Sequence, residues 1–232
     1  MKFGTQVSLV GSLLGLTFAD KASIDRQLLD QVKNSSLRVF TGSIANAVEQ
    51  LDEYGCWCYF YDNVGRGKGT PVDEIDGFCK TLADGYQCAI IDGESEGESC
   101  VPWEVNYNPG AGQGPERFLT CQNQNPGNNC AARACAVEGV FVDNLFAFLI
   151  SGTQINYAEY GHEASDFDPS TDAGCPVKAG IKGVSGEKSC CGGYPNRFPF
   201  KTLDGDRACC GRRTYNTQLL NCCANGQVKA NC

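Results

Sequence analysis

The carboxylates of one short stretch and the cysteines are the residues here whose types and spacing could do chemistry. The stretch is Pro71-Val72-Asp73-Glu74-Ile75-Asp76-Gly77-Phe78-Cys79-Lys80-Thr81-Leu82-Ala83-Asp84-Gly85-Tyr86. It follows Tyr54-Gly55-Cys56-Trp57-Cys58 and the loop Gly65-Arg66-Gly67-Lys68-Gly69. Carboxylates next to a glycine-rich loop could hold a hard cation, and a histidine among them could act as a base. This stretch has no histidine. The chain's single one, His162, lies far downstream and reads as a surface or turn residue. A second acidic run, Asp92-Gly93-Glu94-Ser95-Glu96-Gly97-Glu98, reads as an exposed, solvated loop rather than a calcium or mineral contact.

The cysteines number 16, an even count. Zinc would need finger-like C-x2-C pairs or several histidines, and neither is present, so disulfides are the expected chemistry. Cys190-Cys191, Cys209-Cys210 and Cys222-Cys223 are vicinal pairs. A bond between neighbours closes a strained ring, so each of these should pair elsewhere. The compartment agrees. Residues 1–19 read as a secretory signal, with Lys2, an apolar run from Val7 to Phe18 and a small-x-small Thr17-Phe18-Ala19 cleavage site. Oxidised cysteines belong outside the cytosol.

The elements that must position these residues follow from periodicity. Ile24, Leu28, Leu29 and Val32 recur at helical spacing, as do Ile44, Val48 and Leu51. Between them Asn34-Ser35-Ser36 is the chain's one N-glycosylation sequon. Pro71 opens a helix expected over Asp73–Tyr86, whose early acids suit the dipole. Asn106–Pro115 and Gln122–Asn129 read as loops. Cys130–Ile150 reads as a second long helix whose apolar end, Phe141–Ile150, is too short to span a membrane and is expected to be buried. Glu163–Gly174 reads as a linker. Beyond Cys175 the composition shifts to vicinal cysteines spaced by Gly, Pro and basic residues.

Tyr54-Gly55-Cys56-Trp57-Cys58, the glycine loop, Pro71-Val72-Asp73…Asp76 and the Cys79–Tyr86 segment together resemble the core of the secreted phospholipase A2 family. The resemblance implies a mainly α, disulfide-rich fold with two long antiparallel helices, followed by a small irregular Cys-rich module. It places Leu82 and Ala83 at the family's catalytic His and calcium-binding Asp, Glu138 at the acid that orients that His, and Tyr86 at the neighbouring tyrosine. Leu82 offers no proton acceptor and Ala83 no carboxylate, so the implied activity is absent: no enzyme, no metal and no cofactor. It also implies the bridges Cys58–Cys79 and Cys121–Cys135, and Cys130 with either Cys88 or Cys100. Two further family bridges between the long helices are missing as whole pairs, Gly85 with Val137 and Phe78 with Asn144. Cys56 is left either to Cys175 or to a partner within a self-contained body.

The expected division is a signal at 1–19, a phospholipase-A2-like body at 20–174 and a basic Cys-rich module at 175–232. The body carries 24 acidic and 9 basic residues, and the module 3 acidic and 9 basic. The module's CC units weakly resemble those of galaxin-like matrix proteins. A non-enzymatic secreted protein that builds a matrix, coat or filament is the leading expectation, with homo-oligomers forming through acidic body and basic tail or with matrix partners. A lipid- or receptor-binding module is the alternative. Neither a nucleic-acid partner nor a transmembrane segment is expected.

Overall fold

The computed structural model describes residues 28, 41–60, 65–177 and 186–232. The signal at 1–19, the sequon at Asn34, most of the first amphipathic stretch and the loop residues Tyr61 to Asn63 lie outside the described residues. Helix α1 spans Thr41–Gln50, α2 Glu74–Glu96, α3 Gly114–Gln124, α4 Asn129–Ile150 and the single turn α5 Tyr157–Tyr160.

Helix α2 starts one residue after the expected Asp73, and Pro71 lies outside it. The Asp73 carboxylate caps the Asp76 amide at 2.9 Å, and Glu74 and Asp76 sit in the first turn. Its end differs from expectation. The acidic run is not a loop: helix continues through Glu96 and stops at Gly97, whose φ of 76° closes a left-handed cap onto the Gly93 and Glu94 carbonyls. Nothing between Tyr86 and Glu96 breaks a helix. Acids at this end oppose the helix dipole, and cations from elsewhere offset them: Arg197 on Asp92 and Arg133 on Glu96. The two expected loops at 106–115 and 122–129 also give up residues to α3, which Pro115 opens at its first turn.

Helix α4 begins one residue before the expected start, capped by Asn128 on the Ala131 amide. Alanines 131, 132, 134 and 136 are all buried, which lets neighbouring elements approach closely. The long helices run antiparallel, since Phe78 meets Phe148, Tyr86 meets Glu138, and Glu96 meets Arg133. Ile75, Cys79, Leu82 and Tyr86 of α2 share one core with Val137, Phe141, Val142 and Leu145 of α4. Val48 and Leu51, from α1 and the turn after it, join that core. No helix among the described residues is long and apolar enough to cross a membrane.

The C-terminal module is three antiparallel hairpins: β1 Lys188–Cys191 with β2 Phe198–Lys201, β3 Arg207–Cys210 with β4 Arg213–Asn216, and β5 Asn221–Cys222 with β6 Val228–Lys229. All 16 cysteines are paired, in eight bridges with none free. Cys58 joins Cys79, Cys121 joins Cys135, and Cys130 takes Cys100 rather than Cys88. Cys56 joins Cys175. Each vicinal pair reaches backward with one sulfur and forward with the other. Cys88–Cys190, Cys191–Cys209, Cys210–Cys222 and Cys223–Cys232 therefore string the hairpins onto α2 one after another.

Candidate functional site

Asp76 organises the chain entering the candidate site. Fully buried on the first turn of α2, it accepts the amides of Cys56 at 2.9 Å, Trp57 at 2.7 Å and Val72 at 2.9 Å. Burial pushes its carboxyl pKa upward, and these amides pull it back. Gly55 makes the approach feasible. Its φ is +62°, and a Cβ there would stand 2.6 Å from the Asp76 carboxyl carbon. The Tyr54 hydroxyl donates to Asp73, so both carboxylates that bracket the helix start are already engaged by the Tyr54–Trp57 segment.

Two turns on, Leu82 and Ala83 are buried in the helix, at 4 % and 8 % exposure. Next to them Asp84 is paired with Lys80 one turn back, and Lys80 also lies over the Trp57 ring at 4.8 Å. One turn beyond Leu82, the Tyr86 hydroxyl donates to Glu138 at 2.7 Å. Tyr107 donates to the other Glu138 oxygen. Glu138 is fully buried and accepts from two phenols; burial raises its pKa to about 8, and the hydrogen bonds from Tyr107 and Tyr86 oppose the rise. The Tyr86 hydroxyl is itself pushed well above the usual tyrosine range by burial and by the neighbouring Glu138. The fold thus brings Leu82, Ala83, Tyr86 and Glu138 onto the α2–α4 seam. His162 is not among them: it sits exposed at the surface, against Glu53.

Tyr107 gave no sequence signal, because it lies in an Asn/Gly/Pro-rich segment without periodicity. The Asp92–Tyr194–Arg197 group was equally hidden. Asp92 receives the Tyr194 hydroxyl at 2.9 Å and Arg197 at 2.7 and 2.9 Å, across more than a hundred residues of chain.

Of the two position pairs without cysteines, Gly85 and Val137 face each other. A Cβ on Gly85 would meet Val137 Cγ1 at 2.5 Å, so the glycine and the valine fill one contact between α2 and α4. Phe78 lies edge-on to Phe148 at 6.4 Å near the other end.

No family model matches the chain. Among known proteins it is similar to acidic phospholipase A2 3 of Naja sagittifera, 34 % identical over 114 residues that cover 48 % of this chain and 73 % of the relative. Acidic phospholipase A2 E of Naja oxiana is 35 % identical over 108 residues, covering 46 % and 73 %. Acidic phospholipase A2 PL-II of Walterinnesia aegyptia is 31 % identical over 106 residues, covering 46 % and 63 %. With that identity extending over nearly three quarters of the first relative, on a two-helix, disulfide-bridged core, the chain belongs to the phospholipase A2 family.

Proposed function

We propose that this is a secreted, non-hydrolysing phospholipase-A2-like protein that builds an extracellular matrix, coat or filament. The observation that carries the reading is how the polar groups around Leu82 and Ala83 are already used. Leu82 supplies no proton acceptor, and Ala83, which the resemblance sets at the family's calcium-binding Asp, supplies no carboxylate. Asp73 and Asp76 hold the Tyr54–Trp57 segment, and Asp84 holds Lys80. The donor set does not fit a calcium ion, and no catalytic step follows from it. Glu138 keeps its two tyrosine partners as part of the core.

Assembly is supported by charge. A body with 24 acidic and 9 basic residues carries a module with 3 acidic and 9 basic. A contact between them on different copies would be screened by salt.

The test uses the full secreted chain with its disulfides formed. A phospholipid hydrolysis assay with calcium should give no turnover above blank; turnover restored to background by chelating calcium would overturn the non-enzymatic reading. Sedimentation velocity at low salt should show species that grow with concentration and dissolve at high salt. A monomer at every salt and concentration, combined with flotation on lipid vesicles, would favour a lipid-binding module.

A further inference from the structure

An open pocket of about 450 Å³ lies between the entry to α2 and the turn-rich segment before Cys175. Its apolar wall is Pro71 with the rings of Tyr160 and Phe167, which meet edge-on at 5.5 Å. Asp166, Asp168 and Thr171 also line it. The frame is fixed on both sides. Cys175 is bonded to Cys56, the Thr70 amide donates to the Pro176 carbonyl at 2.9 Å, and the Gly55 amide donates to the Tyr160 carbonyl at 2.9 Å. Asp168 is held as an anion, its pKa lowered by the hydrogen bonds from Ser170, while Lys68 sits on the Ser170 carbonyl. Ring walls beside carboxylates suit a planar guanidinium, which stacks on aromatic faces and pairs with carboxylates.

The chain carries such a group on a rigid stalk. Strands β3 and β4 close through the Cys210–Arg213 pair, leaving Gly211-Arg212 as a two-residue turn with Arg212 exposed at the tip. Cys209 and Cys210 tie this hairpin to the hairpins on either side of it. A tip held this way loses little freedom on docking.

The module's attachment and the pocket lie at different parts of α2. The module joins α2 at Cys88 and Asp92, whereas the pocket includes Val72 just before the helix. At 1.5 Å per residue that separation is about 24 Å along the helix axis. Among the described residues none beyond Pro176 lines the pocket, so the hairpins of the same copy leave it open.

We propose that Arg212 of one copy docks in the Tyr160–Phe167–Asp166 pocket of the next, a head-to-tail contact that propagates into a filament or closes into a ring. This rests on the self-assembly reading and names its contact.

The experiment is sedimentation velocity at low salt on the full secreted chain, comparing wild type, Arg212→Glu, Asp166→Lys and an equimolar mixture of the two variants. Arg212 is exposed, and Asp166 has its described contact only with the Ser165 hydroxyl at 3.3 Å, so both variants should fold, as circular dichroism would verify. Each variant alone should need about tenfold more protein to associate. The mixture should recover assembly, because each tip then meets a pocket of opposite charge. Wild type that assembles while Arg212→Glu matches it, or a mixture that recovers nothing, overturns this contact and leaves the assembly reading standing. Wild type that never associates overturns both.

Discussion

Glu138 is buried and accepts its hydrogen bonds from two phenols, and that gives the protein a pH signature. Its folded pKa of about 8 lies above the ordinary glutamate value of 4.5, so between those values the folded state holds a proton that the unfolded state has released. The stabilisation is complete below about pH 4.5 and is lost as pH rises through about 8. Thermal melts should show a midpoint that falls from pH 5 to pH 8, and Glu138→Gln should flatten that slope. A variant slope as steep as wild type would contradict the assignment. Asp76 makes a contrasting case. Asp76→Ala would strand three amides, one buried and two partly buried, and loss of a charged acceptor of this kind should cost about 2–4 kcal/mol in chemical denaturation. The sequence pointed to both positions through the family pattern. It gave no hint of Tyr107, whose place against Glu138 comes from a loop folding back over the helices.

At the scale of elements, the α2–α4 seam is closed by packing, with no disulfide between the two helices. Gly85 and Val137 oppose each other so closely that a Cβ on residue 85 would lie 3.2 Å from the Val137 Cβ. That separation is near the range of a disulfide. The double variant Gly85→Cys/Val137→Cys should therefore form a bridge during oxidative folding and raise stability by about 2–4 kcal/mol, read as a later urea midpoint. Peptide mapping that finds both thiols free would show that the helices do not face as described. The helices themselves were legible from Pro71, the early acids of α2 and the family pattern. The extent of α2 was not, because an acidic run reads as a loop until Arg197 and Arg133 are seen to neutralise it. Arg197→Ala should accordingly destabilise the protein by about 1–3 kcal/mol, since it removes the partner of a mostly buried Asp92. Equilibrium denaturation at low and high salt would measure that loss.

For the whole molecule, the bridge Cys88–Cys190 decides how body and module are joined. It closes a separation of 102 residues between the middle of α2 and the first hairpin. Replacing both cysteines with alanine should cost about 4 kcal/mol through the unfolded chain. Limited proteolysis should then release the hairpins, from residue 186 onward, while the two-helix body stays intact. A cleavage pattern unchanged from wild type would mean that the Tyr194 and Arg197 contacts to Asp92 hold the module by themselves. The same attachment gives the module's cations two kinds of use. Arg197 is spent inside the chain, and Arg212 stands at a free tip where a second copy can meet it.

The sequence by itself determined the family resemblance, the two long helices, the acidic start of α2 and the need for every vicinal cysteine to find a distant partner. These are local or pairwise-spaced properties: charge at a helix start, periodicity, ring strain and motif spacing are written in neighbouring residues. Only the tertiary structure decided which distant partners those were. Cys88 goes to the module and Cys100 to Cys130, although the family resemblance left either open for Cys130. Tertiary packing also placed Tyr107 on Glu138 and Tyr194 on Asp92, and it opened the pocket before Cys175. Such pairings depend on where loops of no fixed periodicity come to rest. Burial of the core and the closing of the disulfides select that arrangement, and no residue type or spacing announces it in advance.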